Sequence, residues 1–115
     1  MKSISMDGIG AKYVTFYTEE DASAVGKVCT LSGNDTVKAS ADGEKFCGIL
    51  ISVRDGIACV QVGGCCELPY SGTTAPSVGY CSVAAASGGV AVGEKGKEVL
   101  VYHVDTTAKT VGMVL

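Results

Sequence analysis

The sequence predicts an all-β protein, built as a small β barrel or sandwich. Val occurs 16 times and Ile five times, against five Leu and three Met, so β-branched side chains that pack well on a pleated sheet dominate the apolar residues. The 16 Gly and many turn sequences divide the chain into segments of strand length. A length of 115 residues suits one domain, and 47% hydrophobic residues exclude a disordered chain.

The N-terminal residues are predicted to form a flexible arm before a single β domain of residues 12–115. Met1–Ala11 contains one Asp and two Gly and shows little periodicity, so we expect no core from it. The first strand, Lys12–Thr18, alternates Tyr and Thr with Val and Phe. The acidic run Glu19–Asp21 then forms a loop of at most one helical turn.

Turn sequences at regular spacing separate nine further predicted strands. The best hairpin surrounds Arg54-Asp55-Gly56, because Asp-Gly suits a tight turn between two apolar runs. The nine strands are Lys27–Leu31, Thr36–Ala39, Phe46–Val53, Ile57–Val62, Cys65–Leu68, Val78–Val83, Gly89–Val92, Val99–Asp105 and Thr110–Leu115.

The two halves of the chain show the same succession of turns and strands. A shift of 53 positions lays residues 25–62 on residues 78–115 without a gap. In that register Phe46–Val53 falls on Val99–Thr106. The agreement suggests an internal duplication of a four-strand unit, giving a pseudo-two-fold barrel joined through Gly63–Ser77.

Charge and apolar patterning exclude several classes of partner and location. The net charge is −3, and one Arg with eight scattered Lys makes no basic stripe for nucleic acid. Met1–Gly8 lacks a signal-peptide core, so we expect the protein to remain in the cytosol of its producer. The uncharged stretch Leu68–Gly93 contains two Pro and five Gly, which argues against a membrane span.

The residues that usually carry chemistry do not form a recognisable site. The six Cys show no C-x2-C pair, so zinc is not expected, and they are interpreted as small buried hydrophobes. The single His103 lies within an apolar strand; pairing with Cys66 stays open, as does modification of Lys95 in a carrier-like turn. No phosphate-binding or dinucleotide motif is present. We therefore predict no catalytic residue, no cofactor and no metal.

The uncharged stretch Leu68–Val92 has two interpretations. It forms either a contact with a second subunit, since a small domain rarely exposes so long a segment without charge, or a core strand pair with a small-residue loop. The candidate self-association residues are Leu68, Tyr70, Val78 and Tyr80.

Six short motifs follow one another across about Tyr13–Leu115. They are Ala24-Val25-Gly26-Lys27-Val28, Phe46-Cys47-Gly48-Ile49-Leu50, Ala58-Cys59-Val60-Gln61-Val62-Gly63-Gly64, Cys66-Glu67-Leu68-Pro69, Val78-Gly79-Tyr80-Cys81-Ser82-Val83 and Gly112-Met113-Val114-Leu115. Their order resembles the small capsid-cement, or head-decoration, proteins of tailed bacteriophages and prophages. The sequence departs from the family's pattern in its many Cys and in Val99-Leu100-Val101, where an I-G-V strand is typical.

The resemblance implies a structural virion protein without a chemical step. It would be made in the bacterial host cytoplasm, bind the major capsid protein on the capsid surface, and form homo-oligomers, with trimers favoured. The arm and first strand would join a capsid sheet by β-augmentation. Two alternatives are a partner- or ligand-binding β module and, less favoured, a Cys-dependent enzyme. The candidate capsid contacts are Met1, Ile4, Met6, Ile9, Tyr13 and Phe16.

Overall fold

The computed structural model describes residues 8–86 and 89–115, and in them the all-β prediction is confirmed. All ten predicted strands are present, with ends that differ by at most three residues. A single 3-10 turn, Ala22–Ala24, follows the first strand. The strands are β1 (Lys12–Thr18), β2 (Val28–Gly33), β3 (Thr36–Ala39), β4 (Gly48–Arg54), β5 (Ile57–Gly63), β6 (Cys65–Pro69), β7 (Gly79–Ala86), β8 (Gly89–Val92), β9 (Lys97–Asp105) and β10 (Thr110–Val114).

The ten strands form two five-stranded units. Strands β1–β5 make a closed barrel in the order β1-β3-β2-β4-β5, here called the first barrel. The second sheet has the order β6-β10-β9-β7-β8. Its two outer strands approach each other at a single parallel bridge between Tyr70 and Val90, so the second sheet curls towards closure without completing it.

The two units share one strand order, as the duplication hypothesis requires. The path β3-β2-β4-β5 in the first barrel corresponds to β8-β7-β9-β10 in the second sheet. The fifth strands also correspond, because β1 pairs antiparallel with β5 as β6 does with β10. The repeated unit therefore has five strands instead of four, and the segment Gly63–Ser77, which the sequence suggested as a connector, contains β6.

The gapless alignment of the two halves is wrong at β4 and β9. Leu50 pairs with Val60 in the first barrel, and Val101 pairs with Met113 in the second sheet. Leu50 and Val101 therefore occupy equivalent positions and are 51 residues apart, whereas Val60 and Met113 are 53 residues apart. The cause is the following connection, which has two residues, 55–56, in the first barrel and four residues, 106–109, in the second sheet.

The predicted Asp-Gly hairpin is confirmed. Asp55 and Gly56 join β4 to β5 with φ angles of 51° and 78°, the left-handed values that a type I′ turn requires at both central positions. Asn, Asp and Gly tolerate these angles better than other residues. The longer second connection is held differently, because the Asp105 carboxylate accepts hydrogen bonds from the backbone N–H groups of Thr107 and Ala108.

Two apolar cores result, and they are not equivalent. The first lies inside the barrel and contains small side chains with Leu50 as the largest. The second is covered from one side by Val28, Phe46 and Ile49, which belong to the first barrel and its loop. Strand alternation explains this arrangement, since the sequence neighbours of inward-facing residues point outward from the barrel. The first barrel's outer wall thus closes the core of the second sheet.

The loop between β3 and β4 fastens the two units together. Gly43 donates a backbone hydrogen bond to Ala85 of β7 at 2.7 Å, and Ala85 donates to Glu44 at 3.0 Å. Two residues further on, Phe46 is 2% exposed. The loop therefore behaves as a short additional strand against the second sheet, with a large apolar anchor at its end.

Both described ends of the chain meet the junction between β5 and β6. The carbonyl of Cys65 accepts from the Gly8 N–H at 2.8 Å, and its N–H donates to the Ile9 carbonyl at 2.9 Å. Leu115 donates to the Gly64 carbonyl at 3.0 Å. The last residues of the predicted arm are therefore bound to the domain, whereas residues 1–7 lie outside the described part of the chain.

A buried amide reinforces this junction. Gln61 is 4% exposed, and its Nε2 donates to the carbonyls of Gly63 at 3.1 Å and Cys65 at 3.2 Å. Burying an amide without partners is costly, so these two bonds fix where β5 ends and β6 begins.

Gly64→Ala should lower the free energy of unfolding by about 2–4 kcal/mol, because it adds both backbone strain and a steric clash. Gly64 has φ +85°, and a Cβ there would lie 2.5 Å from the carbonyl carbon of Gly10. Gly26→Ala is the matched control: Gly26 has φ +92° with nothing within 4 Å, so only the conformational cost of about 1 kcal/mol applies. Urea unfolding followed by far-UV circular dichroism measures both; equal losses would contradict the proposed close packing.

Candidate functional site

Residues with catalytic potential do not converge in the described structure. Across residues 8–86 and 89–115, no three His, Cys, Asp or Glu side chains are grouped so as to hold a metal ion. Cys66 lies in the core, whereas His103 pairs with Gly112, whose neighbour Val111 points inward. Cys66 and His103 therefore occupy opposite faces of the second sheet, and the pairing left open by the sequence does not form. No helix in the described part of the chain has the length and apolar content to cross a bilayer.

Two of the four candidate self-association residues are core residues. Leu68 and Tyr70 are each 5% exposed and pack in the core of the second sheet. Leu68 lies in β6 and Tyr70 directly follows this strand. Both alternate with Glu67 and Pro69, so their side chains point inward. The assignment of Leu68 and Tyr70 to a subunit contact is therefore wrong for the folded chain.

The other two residues are among the most exposed apolar side chains in the described structure. Val78 is 71% exposed and Tyr80 75% exposed. Tyr80 pairs directly with Leu100 of β9, which is 40% exposed. We call Val78, Tyr80 and Leu100 the Tyr80 patch.

The candidate capsid contacts divide in the same way. Ile9 and Tyr13 are 55% and 56% exposed. Phe16 is half-buried: it packs against the core of the first barrel and also lines a surface cleft, so its contact with the capsid stays a prediction. Met1, Ile4 and Met6 lie outside the described residues.

The first strand has an open edge. On one side, β1 pairs with β5 along its whole length. On the other side β3 meets it only at Tyr17 and Thr18, because β3 is four residues long and pairs mainly with β2. Within the described structure, Lys12–Phe16 thus has a strand on one side alone, and we call this segment the β1 edge.

A shallow apolar cleft lies beside the β1 edge. It has a volume of about 370 Å³. Tyr17 stands directly opposite Ile57 on β5, and both remain exposed. Apolar side chains beside an unpaired strand edge favour the docking of an extended peptide. The lining residues are Val14, Thr15, Phe16, Tyr17, Asp35 and Ile57.

The sequence alone did not single out several residues of these surfaces, among them Tyr17, Ile57 and Leu100. Tyr17 follows Tyr13 on the same face of β1, so strand alternation alone points to it. Ile57 and Leu100 are different, because each becomes part of a patch only through pairing with a strand distant in sequence. No local pattern marks either of them as exposed.

No protein-family model matches the chain, and no curated protein sequence shows significant similarity to it.

Leu68→Ala should lower the free energy of unfolding by about 2–5 kcal/mol, since it leaves a cavity in the second core. Tyr80→Ala is the control from the same uncharged stretch and should change it by less than about 0.5 kcal/mol, because the ring is exposed. Urea denaturation at matched protein concentration measures both. Similar losses for the two variants would contradict the division of this stretch into core and surface.

Proposed function

We propose that the protein is a non-enzymatic structural component of a bacteriophage or prophage virion. It is made in the host cytoplasm and stabilises the capsid by binding between subunits of the major capsid protein. The ordered motifs that resemble capsid-cement proteins support this proposal. The observation that carries it is the β1 edge, which in the described part of the chain has a strand on one side alone and lies beside exposed apolar side chains.

The β1 edge suits a partner that supplies an extended segment. An added strand satisfies the unpaired backbone groups of Lys12–Phe16 with main-chain hydrogen bonds, which provide affinity with little dependence on sequence. Tyr13 and Val14, which are 56% and 42% exposed, then provide apolar contacts on the two faces of the enlarged sheet.

The N-terminal segment adds a second attachment. Gly8 and Ile9 are hydrogen bonded to Cys65, so the chain is held to the domain directly after residues 1–7. We assign Met1, Ile4 and Met6 to apolar contacts with the capsid. A segment tethered next to a docking edge increases the effective concentration of the second contact, and repetition over a capsid multiplies weak contacts through avidity.

Both units contribute side chains to the core of the second sheet, which makes the domain suitable as a clamp. A bridge between capsid subunits transmits load only if its own parts do not separate. Here the two units are joined by Phe46 and by two backbone hydrogen bonds, in which the Ala85 carbonyl accepts from Gly43 and the Ala85 N–H donates to Glu44. The Tyr80 patch provides a separate apolar surface for a homo-oligomer, and the family resemblance favours a trimer.

The alternative function is a β module that binds a small ligand or a cellular partner. The cleft beside the β1 edge supports it, because about 370 Å³ lies within the usual range for ligand pockets. Its open, shallow form and its continuity with an unpaired strand favour a peptide segment over a small molecule.

Val14→Lys should weaken binding to capsids by at least about tenfold, because strand addition would desolvate the new charge. Val92→Lys is the matched control: Val92 is also 42% exposed and also lies on an outer strand. Deleting residues 1–7 should abolish binding while leaving the bonds of Gly8 and Ile9 intact. The measurement is co-sedimentation of purified protein with heads of the phage or prophage that encodes it, prepared without this chain.

Two outcomes of that experiment would overturn the proposal. If the full chain fails to bind the heads, capsid decoration is wrong and the alternative module gains support. If Val14→Lys and the deletion both bind like the full chain, the β1 edge and the arm are not the attachment.

The Tyr80 patch predicts self-association that is separable from folding. The full chain should have a solution mass at least twice the 11.6 kDa of one chain. Tyr80→Ser combined with Leu100→Ser should convert it to a monomer. Tyr17→Ser combined with Ile57→Ser provides a control on the other apolar surface. Size-exclusion chromatography with light scattering gives the mass; a monomeric full chain at high micromolar concentration would contradict the prediction.

A further inference from the structure

Two cysteines of the first barrel lie side by side although 18 positions separate them. Cys29 is in β2 and fully buried, whereas Cys47 immediately precedes β4 and is half-buried. The Cys47 N–H donates to the Cys29 carbonyl at 2.7 Å, which holds the two residues next to each other. Both side chains contact the same core.

The two thiols have opposite acid–base character. The hydrogen bond from the Cys29 thiol lowers the pKa of Cys47, and the positive charge of Lys97 contributes further. The same hydrogen bond, together with burial, raises the pKa of Cys29. Because the thiolate is the nucleophile, the more accessible of the two sulfurs is also the more reactive one.

We propose that Cys29 and Cys47 are a thiol pair that a small-molecule disulfide oxidises to an intramolecular disulfide. The Cys47 thiolate attacks one sulfur of the reagent, forming a mixed disulfide and releasing one thiolate. The Cys29 thiol then loses its proton, and its sulfur attacks the Cys47 Sγ and releases the second thiolate. The protein loses two protons and two electrons, and the reagent disulfide is reduced to two thiols.

The remaining cysteines do not share this arrangement. Cys65 and Cys66 are adjacent in β6, so their side chains point to opposite faces of the strand. Cys59 is half-buried on β5. Cys81 on β7 packs against the core of the second sheet, away from the barrel interior that holds Cys29.

The disulfide has a structural consequence. It joins β2 to the start of β4 and closes a ring around the loop that carries Phe46 and contacts Ala85. A cross-link restricts the unfolded chain. Oxidation therefore strengthens the attachment between the two units, independently of what the protein binds.

The test uses the purified full chain with oxidised glutathione at neutral pH. Free thiols should fall from six to four, and the intact mass should fall by two hydrogens. Trypsin should give a linked pair of peptides, Val28–Lys38 and Phe46–Arg54, each of which contains one Cys. The unfolding midpoint should rise by roughly 5–15 °C and return after reduction with dithiothreitol.

Three single variants separate the roles of the sulfurs. Cys29→Ser should trap one glutathionyl group on Cys47, and Cys47→Ser should remove the rapid reaction. Cys59→Ser is the matched half-buried control and should behave like the parent chain. If Cys29→Ser does not fold, the folded parent chain still decides: Cys47 should be alkylated by iodoacetamide at pH 7 at least about tenfold faster than Cys59.

The proposal is overturned by any of three results. These are a peptide map that links other cysteines, a parent chain that retains six thiols under oxidation, or equal alkylation rates at Cys47 and Cys59. Each is read on the isolated protein and does not depend on capsid binding.

Discussion

The rest of the structure depends on the burial of Val28, Phe46 and Ile49 against the second sheet. That sheet does not close on itself, so its core needs an external cover, and the outer wall of the first barrel supplies one. Each fully buried apolar side chain contributes about 1.5–3 kcal/mol, so separating the units would expose several such groups at once. The two units consequently form one domain, although each resembles a small barrel by itself.

Closure of one unit and incomplete closure of the other explain where the protein exposes apolar side chains. In the first barrel, the short β3 has few residues to offer β1, so the segment Lys12–Phe16 keeps an unpaired edge. In the second sheet, Val78 directly before β7 and Tyr80 within β7 face outward. Both surfaces combine exposed apolar side chains with β-strand backbone.

The cysteines show how packing assigns different roles to one residue type. Cys66 is a small core side chain, and the fold separates it from His103 by the thickness of a sheet. Cys29 and Cys47 lie in the other core, where a backbone hydrogen bond holds them next to each other. Their chemistry follows from this contact, since neither residue has a distinctive sequence context.

Local patterning alone determined the all-β class and every strand, because β-branched residues, alternation and turns such as Asp55-Gly56 act over a few neighbouring residues. It also identified the repeat, but an unequal turn displaced one strand by two positions. Tertiary structure decided which face of each strand is buried: Leu68 turned inward and Tyr80 outward within a single uncharged stretch. It also brought Tyr80 to Leu100 and Cys29 to Cys47. Burial and distant contacts depend on how whole sheets pack, and this packing is not encoded in any one segment.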